Sequence, residues 1–420
     1  MHRTNTLIIG AGHAGLSVSR GLTDRGVEHV VIERGRAGER WRSARWDSFR
    51  LLTPNWLARL PGWAYGGSDP DGFMTAAEFA ELLRRYARSF AAPVLERTTV
   101  HEVRIAPGGG YVVSTDRGRW AAANVVVATG YFASPRVPVF ADRLPPDVVQ
   151  LSPDGYRGPR QVPDGTVLVV GASASGVQIA DELRQAGRPV VIAVGAHTRL
   201  PRRYRDRDIL WWLDRMGSLD RTVDQLPVAE RERVLREPSL QLAGTGRRVD
   251  LPALRARGVR LTGRLAGVDP DGTLRFADDL AATMAAADAR LGRVLADIDE
   301  YAGAHGPAPD PVVSTATASR GAPPPLLRPR RDDLSAVVWA TGFGPRYPWL
   351  KVPVLDASGR LRHHRGVTPA TGLYAVGLRF QYRRSSTWID GARHDAAFIA
   401  DHIAARQAGR HPDMPRVLTS

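Results

Sequence analysis

Short apolar runs alternate with stretches of helical periodicity along the chain, and two of these alternations share one design. Thr6-Leu7-Ile8-Ile9 runs into Gly10-Ala11-Gly12-His13-Ala14-Gly15, a helix-like stretch follows from Leu16, and Val30-Val31-Ile32 is a second apolar run. The pattern returns as Thr166-Val167-Leu168-Val169-Val170, then Gly171-Ala172-Ser173-Ala174-Ser175-Gly176, a helix-like stretch to Gln185, and Val190-Val191-Ile192-Ala193-Val194. Apolar runs bounded by turn residues predict buried strands, and strand–helix–strand alternation predicts parallel βαβ units. Between and beyond the two units, Thr75 with Glu78 three residues on predicts a capped helix to about Ser89. Val100 to Trp120 predicts short strands around Gly108-Gly109-Gly110, and Asn124 to Gly130 a buried strand. Ala336-Val337-Val338-Trp339-Ala340-Thr341-Gly342 repeats the ending of that strand, Gly372 to Gly377 predicts another, and helices are expected over 276–301 and 390–406. Residues 131–163 carry seven prolines and read as a linker; residues 305–330, rich in Pro, Ala and Ser, read as a surface loop. The fold class expected is α/β, with two Rossmann-like dinucleotide-binding domains. Residues 1–135 and 334–420 form the first, 136–163 link, and 164–333 form an inserted second domain with a helical insertion.

The glycines carry the chemistry. In G-x-G-x-x-G the first glycine permits a tight turn, the second lets the backbone approach a pyrophosphate, and the third lets helix pack on strand. The phosphates then lie over a helix N-terminus, where free N–H groups and the helix dipole attract negative charge. Glu33 closes the second strand of the first unit, where an acid holds adenosine ribose hydroxyls. In the second unit Ser173 replaces the middle glycine, and the strand ends in Val194-Gly195 without an acid. A carboxylate there would repel a 2′-phosphate; its absence, with Arg199, Arg202 and Arg203 just beyond, points to NADP. Ordinary surface charge in an arginine-rich chain is the alternative for those arginines.

Composition narrows the chemistry. The 420 residues contain no cysteine, which excludes disulfides, thiolate metal sites and a cysteine nucleophile. Lys351 is the single lysine, so a Schiff-base mechanism has one candidate. A net charge of +15 invites a nucleic-acid reading, yet the arginines are scattered through every segment, and no nucleic-acid partner is expected. No apolar run is long enough to span a membrane and no secretory signal is visible, so a cytoplasmic protein without a membrane partner is expected. His363-His364 lacks a third ligand at metal spacing, and no metal is expected. Trp211-Trp212 suits either a substrate pocket or a core, and Arg383-Arg384-Ser385-Ser386 either a ligand contact or a helix cap.

The order G-x-G-x-x-G, acidic strand end, A-T-G, G-x-S-x-S-G, second A-T-G and G-L-Y-x-x-G resembles the two-dinucleotide-domain flavoproteins. Within them it is most similar to the flavin-containing monooxygenase group, in the bacterial branch described as flavoproteins of cation transport. The resemblance implies FAD and NADPH as cofactors. It places Gly10, Gly12 and Gly15 on the FAD pyrophosphate, Glu33 on the ribose, Trp41 against the flavin, Val100 by the adenine, and Thr129 and Gly130 beside FAD; Ala14, Arg34 and Arg40 are further cofactor-binding candidates, and His13 contacts either solvent or the FAD phosphate. It places Gly171, Ser173, Ser175 and Gly176 on the NADPH pyrophosphate, and Gly377 and Asp390 in a segment closing over the flavin; Arg199 and Arg202 stay cofactor-binding candidates on the strand-end argument above. The family fingerprint F-x-G-x-x-x-H-x-x-x-[YF] is broken: Tyr156 closes it, but Ser152 stands at the histidine. Ser152 and Tyr156 are the catalytic candidates by motif position, and Asn55 lies near, but not at, the family's flavin-flanking asparagine. The activity implied is oxygenation of a small molecule (N-, S- or Baeyer–Villiger-type) by molecular oxygen through a flavin C4a-hydroperoxide. An FAD/NADPH reductase or dehydrogenase is the alternative, a non-catalytic nucleotide sensor the third reading, and a homodimer stays open.

Overall fold

The computed structural model describes residues 1–235, 237, 240–304 and 334–410; the surface loop expected over 305–330 lies outside the described residues. In the first unit, strand β1 (His2–Ile9) leads into helix α1 (His13–Thr23) and strand β2 (His29–Ile32). A short helix α2 (Glu39–Ser43) follows, then α3 (Ala76–Ser89), whose Thr75 and Glu78 form the expected capping box. Strands β3 (Val94–Leu95), β4 (Val100–Ile105), β5 (Tyr111–Thr115) and β6 (Gly118–Val127) complete this half. The sheet order is β3-β2-β1-β6-β5-β4, with the strand Leu373–Ala375 also on β6. The first half of β6 pairs antiparallel with β5, and Val125, Val126 and Val127 pair in parallel with Leu373, Tyr374 and Ala375. The C-terminal section thus returns to the first sheet, and the last helix (Ala392–Gln407) packs Ala396, Ile399 and Ile403 with Leu16, Leu22 and Phe79 in one core.

Alternation along each strand builds a core on both faces of this sheet. Ile8 and Val126 join the helical core, whereas Leu7, Ile9, Val125 and Val127 join Tyr347, Leu350, Val352 and Val354 on the other side. The second sheet is all parallel, in the order Arg260–Thr262, Val190–Ala193, Thr166–Val170, Leu334–Trp339, Val149–Leu151. Helix α4 (Ala174–Gln185) covers one face. Both faces are buried, which is why these strands read as continuous apolar runs.

Two segments belong elsewhere than the sequence placed them. Leu334–Trp339, counted with the first domain, lies between two strands of the second sheet. Val149–Leu151, counted as linker, is that sheet's edge strand, and Ala141, Leu144 and Val148 pack under it with Leu168 and Trp339. A parallel strand takes its partners from distant sequence, so local pattern does not choose between two sheets with the same A-T-G ending. The chain crosses between the units through a small ribbon, where Ser134–Pro135 pairs with Phe343–Gly344.

A third junction comes from the stretch after α2. Trp46 is 4% exposed and, although it belongs to the first unit, packs in the second unit's core with Tyr156, Val167 and Ala172. Arg157 donates to the carbonyls of Ser43 and Arg45, and the Asp47 N–H donates to the Arg157 carbonyl at 2.9 Å. Trp46→Ala is expected to lower stability by about 3 kcal/mol, the usual cost of an unfilled aromatic site. Urea unfolding of the two proteins would measure it, and a loss under about 1 kcal/mol would show that the junction closes without the indole.

Candidate functional site

At the carboxyl ends of the first sheet, Gly10 has φ +109°, and a Cβ there would meet the Ala128 carbonyl oxygen at 2.6 Å. Only glycine combines that φ with that closeness. Gly12 has open space above it and caps α1 without a side-chain bond, so the first N–H groups of α1 face a concavity. Glu33 closes the other side: its carboxylate accepts the Ala11 N–H at 2.8 Å and the Gly35 N–H at 2.9 Å. Each oxygen keeps a lone pair for a hydroxyl. Segment 95–98 lies against this acid, with Glu33 N–H on the Leu95 carbonyl and Thr98 N–H on the Glu33 carbonyl, and Val100 begins β4 just beyond. Thr129 and Gly130 follow β6, and a Cβ on Gly377 (φ +77°) would lie 3.0 Å from that of Ala14. Gly10, Gly15 and Thr129 thus meet at one turn, Glu33 is bonded to it through Ala11 and Gly377 approaches it at Ala14, while Gly130 and Val100 follow Thr129 and Thr98 in the chain without a contact to the turn among the described ones. Such a cradle, with free N–H groups on one side and a carboxylate on the other, fits a dinucleotide.

Beyond the crevice stands an aromatic wall. Trp41 meets Phe79 edge-on at 4.9 Å between ring centres, and Phe49 meets Trp46 in the same way. Arg45 lies 4.9 Å over the Trp41 ring and 5.3 Å over Phe49; burial, and then Arg40, hold its pKa down to about 10. Arg40 itself donates to the Phe132 carbonyl at 2.6 Å, and Arg34 is exposed. His13 sits 6.5 Å from Trp41; burial lowers its pKa to about 4, and Nε2 has no partner. An orphaned buried nitrogen at the mouth of the cradle is an atom that a ligand can satisfy. The family-like asparagine is occupied: Asn55 is buried, donating to the Asp69 carbonyl and accepting from the Met74 N–H.

Asp390, expected in the segment closing over the flavin, carries a junction of ion pairs. Its carboxylate takes Arg59 at 2.6 and 3.0 Å and Arg393 at 2.8 Å, and Arg59 also reaches Asp214 at 3.1 Å. Nothing in the sequence pattern pairs residues so far apart, and Arg45, Trp46 and Arg59 were all missed.

The second turn repeats the first. Gly171 also has φ +109°, and its Cβ would run into the Ala340 carbonyl as that of Gly10 would into Ala128. Ser173 occupies the cap position of α4 without a side-chain bond there; Ser173 and Ser175 are half-buried, and a Cβ on Gly176 would strike the Gly171 carbonyl. The expected phosphate arginines are already engaged by carboxylates. Arg199, 5% exposed, pairs with Asp288 at 2.8 Å and Asp250 at 3.6 Å. Arg202, 8% exposed, is bound to Asp208, donates to the Leu52 carbonyl and lies 4.4 Å over Phe73. The catalytic candidates are also engaged in structure. Ser152 donates to Asp154 at 2.5 Å, and the fully buried Tyr156 donates to Glu182 at 2.8 Å, its phenol pushed well above the ordinary range by burial and that acid. Trp212 is core, donating to the Tyr204 carbonyl at 2.8 Å, and Trp211 meets it edge-on.

One buried acid lies under the C-terminal segment. Asp395, 3% exposed, bonds to the Ser386 hydroxyl and faces Arg383 and Arg365; burial raises its pKa from 3.8 to about 6. The folded state then binds this proton more tightly than the unfolded chain. Stability from this group is therefore present at low pH and falls as pH rises through the window from about 4 to 6. Asp395→Asn is expected to remove that slope and to be more stable than the parent at pH 7.5 by about 2 kcal/mol. Urea unfolding at pH 5 and pH 7.5 tests it; parallel pH dependence in the two proteins would refute it.

A model of the pyridine nucleotide-disulphide oxidoreductases matches residues 7–214. A CzcO-like oxidoreductase of Geobacillus kaustophilus is 31% identical over 405 residues, which is 96% of this chain and 99% of the relative. A flavin-containing monooxygenase from Stenotrophomonas maltophilia has a similar fold, with a TM-score of 0.67 at 18% identity over 97% of this chain and all of that one. OTEMO, solved with FAD and NADP, gives a TM-score of 0.59 at 15% identity, covering 97% of this chain and 85% of its own. With a likeness that runs nearly end to end in sequence and in fold, the chain belongs to the CzcO-like oxidoreductases.

Proposed function

We propose that this oxidoreductase is an FAD-dependent, NADPH-consuming monooxygenase that oxygenates a small molecule at nitrogen, at sulfur or beside a ketone. The observation that carries this reading is a pair of matching glycine cradles, at the carboxyl ends of two sheets, in a chain without cysteine. The first cradle, with Glu33 opposite the α1 N-terminus, suits FAD; the second, with no acid at the strand end, suits NADPH. FAD supplies hydride acceptance from NADPH and activation of dioxygen. Without a cysteine pair, the electrons have no dithiol of the protein to reduce and leave to a diffusible acceptor.

The chain's own residues bind, orient and exclude water. The α1 and α4 N-termini hold pyrophosphates, and Glu33 accepts ribose hydroxyls. Trp41, Phe49 and Phe79 form a dry wall, which favours productive transfer over loss to solvent. His13, neutral at pH 7, offers Nε2 for one hydrogen bond to the bound cofactor. Ser152 and Tyr156 act as positioning residues: their turn fixes Glu182, which also accepts from Ser48 at 2.6 Å, and so couples the two units. The second reading, a reductase or dehydrogenase, draws on Ser152, which stands where the family histidine belongs and is bonded to Asp154.

Two measurements test the proposal. Glu33→Ala is expected to weaken FAD binding roughly ten- to hundredfold and to purify largely colourless; full yellow colour and unchanged affinity would remove the first cradle from consideration. NADPH oxidation under labelled dioxygen, with tertiary amines, thioethers and ketones as probes, is expected to place label in an organic product. Quantitative hydrogen peroxide with every probe, or reduction of a probe without oxygen uptake, would select the second reading.

A further inference from the structure

The arginines expected at the second cradle are held by carboxylates, and the structure supplies another cation from far along the chain. The Gly171 N–H donates to the Ala193 carbonyl at 2.9 Å, so the loop after the strand Val190–Ala193 borders the glycine turn. In such a unit that loop lies beside the adenosine ribose. Its first residues, Gly195 and Ala196, carry no charge. His197 is 1% exposed with Nδ1 3.0 Å from the Gly195 carbonyl, and burial lowers its pKa, so it is neutral at pH 7. Arg199 and Arg202 are buried on Asp288, Asp250 and Asp208, and Arg203 donates to Asp206 within its own hairpin.

Arg290 lies on the long helix of the insertion, Leu280–Ala304, which packs on Thr198–Arg199. Its Nη2 donates to the His197 carbonyl at 2.5 Å, which anchors the guanidinium at the loop. Its Nε is buried and has no hydrogen-bond partner, and among the described residues it makes no ion pair. Asp288 on the same helix is already neutralised by Arg199. A second insertion residue frames the same place: Gln241, 1% exposed, donates to the Ala172 carbonyl inside the glycine turn and leaves Oε1 unpartnered. An unpaired guanidinium with an orphaned N–H, held by one carbonyl at a ribose loop that has no acid, is a phosphate receptor.

We propose that Arg290 of the insertion reads the 2′-phosphate of NADPH, in the place the sequence assigned to Arg199 and Arg202. The inference rests on the NADPH reading above and makes the helical insertion part of the nucleotide site. Adenosine 2′,5′-bisphosphate and AMP are the probes, titrated calorimetrically into the FAD-loaded full chain, alongside anaerobic flavin reduction by NADPH and NADH. Arg290→Ala is expected to weaken adenosine 2′,5′-bisphosphate and NADPH roughly ten- to hundredfold while leaving AMP and NADH within about twofold. Arg290→Lys, which keeps the charge without the fork, is expected to fall between. Arg290→Gln keeps a donor for the His197 carbonyl, so it loses 2′-phosphate discrimination without the loop being released. Equal weakening of phosphorylated and unphosphorylated ligands in both Ala and Gln variants would overturn the proposal, as would an unchanged preference. A parent protein that binds both dinucleotides alike would instead overturn the NADPH reading itself. Should Arg290→Ala fail to fold, the Lys and Gln variants decide on the same criteria.

Discussion

The architecture depends on one close approach made twice. A strand ends in glycine, and the next residues of a neighbouring strand bring a carbonyl oxygen to within touching distance of that glycine's Cα: Ala128 against Gly10, and Ala340 against Gly171. Any side chain there would push the turn away from the A-T-G segment, and with it the N-terminus of α1 or α4. Because the helix start must point into the crevice for its N–H groups to meet phosphate, the approach sets both the packing and the binding chemistry. The two sites carry the same φ of +109°, so one solution serves both nucleotides. What differs is the acid: Glu33 tied to two backbone N–H groups in the first, and uncharged Gly195 and Ala196 in the second.

Local chemistry was legible in the sequence, and long-range partnership was not. The glycine turns, the Thr75–Glu78 box and the strands carrying Val125 and Leu373 follow from runs, caps and turn residues within a few positions. The second A-T-G looked like the first because it does the same work, yet its strand pairs with Thr166–Val170 and not with β6. Tyr156 kept its motif position while its hydroxyl turned into a core toward Glu182. Arg199 and Arg202 sat at the right distance from the strand end for a phosphate, but Asp288, Asp250 and Asp208 draw them inward. A lone sequence shows that arginine is abundant; it does not show which arginine already has a carboxylate.

That last point explains much of how an arginine-rich chain keeps its sites selective. Desolvating a guanidinium without a partner is costly, so buried arginines here are paired, as Arg199 is, or stacked on rings, as Arg365 is at 3.9 Å from both Tyr382 and Phe398. Paired charges fix the register of the segments that carry them. Arg59, Asp214 and Asp390 join the first unit, the insertion and the C-terminal segment in one network, and Asp181 gathers Arg247 and Arg257 onto α4. Such networks hold position without being free to bind anything else.

The exceptions then carry the chemistry. His13 beside the first glycine turn and Arg290 at the loop of the second unit each keep a buried nitrogen without a partner, as do Arg365 and Arg383 nearer the C-terminus, and Arg45 lies over two rings with no carboxylate within ion-pair distance among the described residues. Leaving a buried donor unmet costs stability unless something else completes it. Beside the two glycine turns, the unmet donors are the atoms that the proposed nucleotides would complete. The insertion is therefore more than a cover on the second unit: it holds Gln241 on the Ala172 carbonyl of the glycine turn and Arg290 on the His197 carbonyl of the next loop, which is the difference between the two cradles that the proposed pair of nucleotides would use.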